Sequence, residues 1–315
     1  MVTIAVVVPT YNEKRKIERC VHALLRQSAP FDEIIFVDGG STDGTREVIE
    51  RHKRKYPYIR LLVETNGRGP GKAREMGWRA AKSDVIVFKD ADTQVGRHYC
   101  ETVKDEFPSD AEAVEFEITT FCPESASLLE RIMFYKETDV PYYGEKVIRK
   151  SVFEKAGGYD TKLGFGEDRD FAERVNKVLA NSKVVKAKAK LEVGIGAPSS
   201  LKDYGVKNLW YGRTLPNYVM KAGTKDTRAA ITLGLALLMV LSLILLPFFP
   251  PLVLALIAVL LLRSLRGAWR VFRKSRVVES LFYVPLLEIA RVLCIGVGVF
   301  QGVLLRAIGK YHTGR

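Results

Sequence analysis

Two aspartates separated by a single residue, Asp90 and Asp92, follow an apolar run that ends at Phe88. The run Asp84–Phe88 has the composition of a buried strand, and parallel sheets bind ligands beyond the carboxyl ends of their strands. Carboxylate oxygens with no His or Cys beside them suit a hard cation, Mg²⁺ or Mn²⁺. The pair therefore predicts a divalent-metal site that could bridge a diphosphate and offset charge on a leaving group. Two solvated acids in a turn are the alternative interpretation.

A second acidic segment, Glu167-Asp168-Arg169-Asp170, comes directly after Gly166. A carboxylate held close to other acids can have a raised pKa, which suits it to removing a proton from an attacking hydroxyl. Acids are also enriched at helix N-termini, where the helix dipole favours negative charge. The segment therefore predicts either a group that takes up a proton or the acidic first turn of a helix.

The elements that must position these acids alternate between strands and helices. Short β-branched runs predict four strands, at Ile4–Val8, Glu33–Asp38, Ile59–Glu64 and Asp84–Phe88. Apolar residues at helical spacing predict intervening helices at Glu13–Gln27, Asp43–Lys55 and Ala73–Ala81. This alternation is typical of an α/β fold in which helices cover a parallel sheet.

Polar segments follow three of the predicted strands. They are Pro9-Thr10-Tyr11-Asn12-Glu13, then Asp38-Gly39-Gly40-Ser41-Thr42-Asp43-Gly44-Thr45, and then the glycine-rich stretch Asn66–Arg74. Cations of the third segment could reach an anion at a helix N-terminus, although its spacing is not that of a dinucleotide fingerprint. Ordinary turns ending in helix caps, or a flexible loop, would have similar compositions.

Taken in order, the segments from Ile4 to Asp170 resemble the inverting family 2 glycosyltransferases, including the branch of the dolichyl-phosphate-mannose synthases. The resemblance implies a Rossmann-like GT-A fold, a nucleotide-diphosphate sugar donor, a divalent metal (Mg²⁺ or Mn²⁺) and inversion at the sugar. A strand at Ala113–Ile118, a helix at Ser125–Thr138 and a strand at Lys183–Lys190 with one solvated face would form the acceptor-binding half.

Site residues follow from the resemblance position by position. Donor-binding residues would be Pro9, Tyr11, Glu13, Asp38, Gly71, Lys72, Arg74 and Asp90, with Asp38 accepting a hydrogen bond from the base. Asp90, Asp92 and Gln94 would hold the metal. Asp168 would be the general base, with Glu167 beside it. The family often has a second acid where this chain has Gly39.

Aromatic and basic residues interleave from Leu201 to Lys221, as on a helix that lies in a membrane interface. Trp210, Tyr211 and Arg213 stand where many processive relatives have Gln-x-x-Arg-Trp, a motif that this chain lacks. We therefore do not expect a polymerising synthase. The three residues could bind the acceptor or lie at the lipid interface.

The uncharged segment Ile231–Leu262 is longer than the ~20 residues of one membrane span. Pro247, Pro250 and Pro251 interrupt it, which predicts a helical hairpin, with a single kinked span as the alternative. Basic residues flank both ends, and cytoplasmic loops are enriched in such residues, so the hairpin places both flanks in the cytoplasm.

A further apolar segment, Leu281–Leu305, could span the membrane or lie in its interface. Glu288 and Arg291 could pair on one face of its helix. Gly298 and Gly302 have the GxxxG spacing that permits close helix contact.

Composition limits the class of protein. The tail from Ala229 to Arg315 carries +8 of the formal net charge of +13, beside long apolar runs, which favours membrane lipids over nucleic acid as partner. Four dispersed cysteines without a CxxC pair indicate neither a disulfide framework nor a zinc site. The first apolar run, Ile4–Pro9, is too short for a signal peptide.

We therefore expect an integral membrane protein with a cytoplasmic GT-A domain at residues 1–198, an amphipathic interface region at 199–228 and membrane helices at 229–315. The predicted reaction transfers a sugar, of hexosyl type, to a hydroxyl on a lipid-linked or glycan acceptor. One alternative is a polyprenyl-phosphate sugar synthase, whose ionised acceptor needs no base. Another is a non-catalytic partner subunit that binds nucleotide sugars.

Overall fold

The structure, a computed structural model, describes residues 2–65, 69–137, 145–194, 196–198, 200–223, 226–244, 247 and 250–311. It contains two compact units. The first comprises Met1–Glu124, Tyr142–Lys162 and Glu167–Gly196, and the second comprises Ser125–Pro141, Leu163–Gly166 and Ala197–Arg315. The second unit thus includes two short segments from within the proposed 1–198 domain.

The first unit is built on one eight-stranded sheet of order β3-β2-β1-β4-β7-β6-β8-β5. The first four strands in this order are parallel, β7 is antiparallel to both β4 and β6, and β8 is parallel to β6. The strands are β1 (Ile4–Thr10), β2 (Glu33–Asp38), β3 (Ile59–Val63), β4 (Val85–Phe88), β5 (Gln94–Val95), β6 (Ala113–Phe121), β7 (Glu145–Arg149) and β8 (Val184–Gly194).

Within the described residues, seven helices precede residue 180. They are α1 (Lys14–Leu25), α2 (Thr45–Lys53), α3 (Pro70–Ala80), α4 (Tyr99–Glu106), α5 (Leu128–Glu137), α6 (Lys150–Lys155) and α7 (Glu167–Leu179). All but α5 belong to the first unit. The predicted parallel α/β arrangement of the N-terminal part is confirmed.

Helices cover both faces of the central sheet, so its strands are apolar at nearly every position. Alternate residues of β1 pack into two separate cores, with Val6 in the core that contains α1 and α2 and Val7 in the core that contains α3, α6 and α7. Helix α3 lies so close to β1 that a Cβ added at Gly77 would overlap the Val7 side chain. Ligand contacts are therefore left to the loops at the edge of the sheet.

Most predicted element ends lie within three residues of the observed ones, and the differences have local causes. Helix α3 begins at Pro70 instead of Ala73, because proline is well suited to the first turn of a helix. Strand β8 continues to Gly194 instead of ending at Lys190, because it pairs with β6 and β5 there. The predicted residues Asn66, Gly67, Arg68 and Thr138 lie outside the described residues.

The described part of the second unit contains α5 and four long helices, α8 (Leu201–Ala222), α9 (Thr227–Ile244), α10 (Pro250–Ser275) and α11 (Ser280–Ala307). Two helices, α9 and α10, occupy most of the described part of the uncharged segment, and a hairpin that crosses the membrane stays a prediction. Gly298 and Gly302 provide the predicted close contact, since a Cβ at either would crowd the backbone of α8 at Leu209 or Arg213.

The predicted ion pair of α11 is also present, with Arg291 Nη2 2.8 Å from Glu288 Oε2. Lys136 of α5 joins the pair, its Nζ 2.8 Å from Glu288 Oε1. Among the described residues, α11 is the one helix long and apolar enough to cross a bilayer, and Thr227–Ser242 forms a shorter apolar helix. Membrane integration stays a prediction for this chain.

Candidate active site

The loops that follow β1 and β2 are joined by hydrogen bonds at the carboxyl edge of the sheet. Asn12 N donates to Ser41 Oγ at 2.9 Å, and Thr42 N donates to Asn12 Oδ1 at 2.9 Å. Glu13 N donates to Thr45 Oγ1 at 2.9 Å. The last of these bonds satisfies the backbone N–H of Glu13, the N-cap of α1, which the helix itself would leave unpaired. The two polar segments singled out in the sequence therefore form one preorganised rim.

Asp38 ends β2 beneath this rim and is fully buried. Its Oδ2 accepts hydrogen bonds from the backbone N–H groups of Gly40 and Ser41, at 3.0 and 2.9 Å. Its Oδ1 has no hydrogen-bond partner among the described residues. Because an unpaired buried carboxylate oxygen is costly, this atom is suited to accepting a hydrogen bond from a ligand.

The other predicted donor residues of the first loop lie around the same edge. Pro9 pairs with Val37 of β2, one residue before β1 ends at Thr10, and Tyr11 is half-buried with its ring beside Gly39. Glu13 is half-buried as well, and its Oε2 lies 3.8 Å from Lys16 Nζ.

Lys16, on α1, is a site residue that the sequence analysis missed. Its ammonium is almost completely buried and lies 3.5 Å from Asp92 Oδ2. The carboxylates of Glu13 and Asp92 lie within 4 Å of this ammonium and offset the cost of burying it. Its position within a helical repeat of apolar residues gave no indication of this role. Lys16 links the first loop to the Asp90-Ala91-Asp92 motif.

Arg74, on α3, joins the two acidic motifs. Its Nη2 lies 2.9 Å from Asp90 Oδ1, and its Nη1 lies 2.6 Å from Glu167 Oε1. Burial opposes the charged form of Arg74, but the carboxylates of Asp90 and Glu167 outweigh it and raise its pKa. Tyr159 lies beneath, 6.0 Å from the guanidinium carbon to the ring centroid. The predicted donor residue Arg74 is thus a structural bridge as well.

Glu167 and Asp168 begin α7 but have different environments. Glu167 is buried, and this burial raises its pKa to about 7 against the attraction of Arg74. Asp168 is exposed, with Oδ1 accepting a hydrogen bond from Arg169 N at 2.8 Å. The interpretation as the acidic first turn of a helix is confirmed, and Glu167 also pairs with Arg74. A proton-accepting role for Asp168 stays a prediction.

A cavity of about 810 Å³ opens beside Asp168 in the first unit. Its floor is aromatic, with Tyr159 stacked on Phe171 at a centroid distance of 4.2 Å. Its rim is polar and charged, with Lys146, Asn176 and Glu115 among the lining residues. The cavity therefore combines an apolar surface with hydrogen-bonding groups, as ligand sites commonly do.

Lys89, the residue before Asp90, anchors the end of β4. It is buried, with Nζ 2.5 Å from Glu145 Oε2 and 4.4 Å from the centroid of the Tyr99 ring. Tyr99 Oη also donates a hydrogen bond to Glu145. This network holds the chain at the start of the Asp90-Ala91-Asp92 motif, and it was not expected from the sequence because Glu145 is distant along the chain.

The three predicted metal ligands all supply oxygen. Asp90 is well exposed, with 63% of its side chain accessible, and Asp92 lies against Gly196 with 20% accessible. Gln94 is half-buried at the start of β5. Carboxylate and amide oxygens near the carboxyl end of β4 fit a hard divalent cation such as Mg²⁺ or Mn²⁺.

Gly71 and Lys72 lie in the first turn of α3, where Gly71 packs against the side chain of Glu167. A Cβ at Gly71 would be 3.3 Å from Glu167 Cγ, so a larger residue would press on the second acidic motif. Lys72 is half-buried.

Trp210, Tyr211 and Arg213 belong to the second unit. Trp210 is 3% exposed, and its ring lies 5.1 Å from that of Tyr211, which is half-buried. In the structure α8 thus directs this tryptophan into the unit. Its role with acceptor or lipid stays a prediction.

A Rossmann-like mixed sheet with acids gathered at the carboxyl edge of its parallel strands has the architecture of the GT-A sugar-transfer domains. Residues 5–155 match the model of the family Glycosyl transferase family 2. Just under half of the chain therefore resembles a family 2 glycosyltransferase domain.

Curated relatives share parts of this domain. The chain is 34% identical over 107 residues to the poly(ribitol-phosphate) beta-N-acetylglucosaminyltransferase TarS of Staphylococcus aureus, covering 33% of this chain and 18% of that protein. It is 28% identical over 191 residues to the uncharacterized glycosyltransferase EpsJ of Bacillus subtilis, covering 53% of this chain and 54% of that protein. The matches thus span at most about half of these two relatives.

A solved structure shares the fold over most of the chain. The mannosyltransferase PcManGT from Pyrobaculum calidifontis, in complex with GDP-Man and Mn²⁺, superposes with a TM-score of 0.56 at 22% identity, covering 95% of this chain and 87% of that one. The GT-A fold expected from the sequence is supported by this likeness.

Proposed function

We propose that this protein transfers a sugar from a nucleotide-diphosphate sugar to a hydroxyl of a lipid-linked or glycan acceptor, with inversion at the anomeric carbon. The observation that supports the proposal is the bridge made by Arg74, which lies within 3 Å of both Asp90 and Glu167. It brings the acids of a donor-side motif and of a base motif to one edge of the sheet. Sugar transfer requires both functions at adjacent positions.

The donor would lie along the carboxyl edge, with its base against Tyr11 and its N–H group donating to Asp38 Oδ1. Asp90, Asp92 and Gln94 would hold a divalent cation. When bound, that cation would supply Lewis-acid stabilisation of the leaving diphosphate. The buried ammonium of Lys16, 3.5 Å from Asp92, would orient this carboxylate and add positive charge to the site.

Asp168 would take the proton of the acceptor hydroxyl as that oxygen attacks the anomeric carbon and the bond to the diphosphate breaks. Its exposure leaves it accessible to an acceptor in the adjacent cavity, whose aromatic floor and charged rim suit a sugar or an amphiphilic chain. Glu167 is buried against Arg74 and is better suited to positioning than to proton exchange with the acceptor.

Binding of nucleoside diphosphates tests the donor side. We expect UDP or GDP to raise the thermal midpoint of the chain in the presence of Mn²⁺, and to do so much less without it. Including GDP is motivated by the GDP-Man complex of the solved neighbour. Asp92→Asn should remove the Mn²⁺-dependent part of this increase in the thermal midpoint. Asp110→Asn, which changes an exposed acid that pairs with Lys183, should leave the increase unchanged. If every nucleotide raised the thermal midpoint equally with and without Mn²⁺, the metal assignment would be contradicted.

The acceptor side is tested with Asp168→Asn and, on the same helix, the exposed control Glu173→Gln. We expect Asp168→Asn to lose transfer while retaining donor binding. Near-normal turnover would instead indicate a polyprenyl-phosphate acceptor, which is already ionised. Absence of donor hydrolysis and of transfer across a broad donor panel would favour a non-catalytic partner subunit.

A further inference from the structure

Three metal-ligating side chains converge between α1 and α2, outside the proposed catalytic residues. Glu18 and His22 stand one turn apart on α1, and His52 lies in the last turn of α2. Glu18 Oε1 is 3.1 Å from His52 Nε2 and 3.5 Å from His22 Nε2. Among the described residues, this is the one group of three such side chains whose ligand atoms lie within 4.8 Å of one another.

The distances from Glu18 Oε1 to the two histidine nitrogens match the edge lengths of a tetrahedral transition-metal site. Zn²⁺ binds imidazole nitrogen and carboxylate oxygen at about 2.0–2.2 Å, so two ligand atoms of a tetrahedron are about 3.3–3.6 Å apart. The two measured distances, 3.1 and 3.5 Å, lie close to that value. The two imidazole rings are edge to face, with centroids 5.6 Å apart, so both nitrogens can approach one point.

Neighbouring groups complete the site. Arg51 Nη2 lies 3.8 Å from Glu18 Oε2, which orients the carboxylate and leaves Oε1 to an ion, as outer-shell partners of metal ligands do. The positive charge of Arg51 reduces the affinity for a cation, so we expect micromolar rather than nanomolar binding. His22 and Glu18 are about half exposed, which leaves room for a water as a fourth ligand.

We propose that Glu18, His22 and His52 form a second divalent-metal site, selective for Zn²⁺ and similar imidazole-binding transition metals over Mg²⁺. Two imidazoles and one carboxylate are a donor set that favours such ions. This donor set differs from that of the proposed catalytic metal site, where Asp90, Asp92 and Gln94 supply only oxygen.

An ion at this position would cross-link the two helices that begin at the donor loops. The loop before α1 and the start of α2 are already joined by the hydrogen bond from Glu13 N to Thr45 Oγ1 at 2.9 Å. The metal would add a second link between the same two helices, further from their N-termini. Since it can bind only the folded arrangement, it would raise the stability of the first unit.

The test is a calorimetric titration of the chelator-treated whole chain with Zn²⁺, without nucleotide. Asp92→Asn serves as the background so that the proposed catalytic metal site does not contribute. His52→Gln is compared with His98→Gln, a surface histidine 2.8 Å from a single carboxylate, that of Glu101. Thermal midpoints without metal establish that both variants are folded.

We expect one Zn²⁺ per chain in the Asp92→Asn background, with at least about tenfold weaker binding after His52→Gln and no change after His98→Gln. Co²⁺ should bind the same site and give the visible absorption of a low-coordinate ion. Equal Zn²⁺ affinity of the His52→Gln and His98→Gln chains would overturn the proposal, as would absence of Zn²⁺ binding in the Asp92→Asn background.

Discussion

The buried acid Glu167 should make the stability of the first unit depend on pH. Its ordinary pKa is 4.5, and burial raises it to about 7 in the folded chain. A raised pKa means that the folded state holds the proton more tightly than the unfolded state. Its stabilising effect is therefore complete below pH 4.5 and is lost as the pH rises through about 7. The difference between these two pKa values corresponds to about 3 kcal/mol of unfolding free energy.

The perturbation that isolates this effect is Glu167→Gln, which keeps the shape of the side chain and removes its titration. Unfolding by urea can be followed through Trp78, which is buried in the first unit, after Trp210 and Trp269 of the second unit are replaced by phenylalanine. We expect the unfolding free energy of the chain with the native Glu167, relative to the Glu167→Gln variant, to fall by about 3 kcal/mol between about pH 4 and about pH 8.

The opposite slope would refute this reasoning. If the ion pair with Arg74, at 2.6 Å, dominated over burial, the pKa of Glu167 would lie below 4.5. The relative stability of the chain with the native Glu167 would then increase between about pH 3 and about pH 5 and stay constant above that range. Glu173→Gln, an exposed change on the same helix, is the control and should give no slope near pH 7.

Three further outcomes follow from the site and from the packing of the helices. Asp168→Asn should reduce transfer by about 10²- to 10⁴-fold in a turnover assay, as expected for loss of a general base. Asp38→Asn can keep the two backbone hydrogen bonds while presenting an N–H donor in place of the unpaired Oδ1. It should therefore weaken nucleoside diphosphate binding by about 10- to 100-fold in calorimetry. Gly298→Ala would overlap the Leu209 carbonyl oxygen and should cost about 1–3 kcal/mol of stability, whereas Gly234→Ala, in open space on α9, should cost nothing in the same thermal assay.

Local sequence patterns predicted the N-terminal architecture well. The runs of β1, β2 and β4 are continuous and apolar because both faces of the sheet are covered, and such runs are readable without a structure. The acids at Asp38, Asp90 and Asp92 could also be placed, since each lies at or just beyond the carboxyl end of a strand and so must be near one edge of the sheet. The ion pair of Glu288 with Arg291 followed from helical spacing alone.

Contacts between distant segments could not be predicted in this way. Periodicity gave Lys16 no special position, yet the packing of α1 brings it 3.5 Å from Asp92. The residues that Arg74 bridges, Asp90 and Glu167, are far apart along the chain, and their separation in space depends on how α3 and α7 cover the sheet. Short-range patterns carry no information about such distances.

The amino-acid sequence by itself determined which residues have the chemistry for a metal, a base and a buried strand, because residue type and local spacing are properties of the chain. Only the tertiary structure decided that Glu167 is buried with a raised pKa while its neighbour Asp168 is exposed, and that two histidines from different helices approach one carboxylate oxygen of Glu18. Burial and electrostatic environment depend on which segments pack together. They therefore arise with the fold and are absent from the linear order of residues.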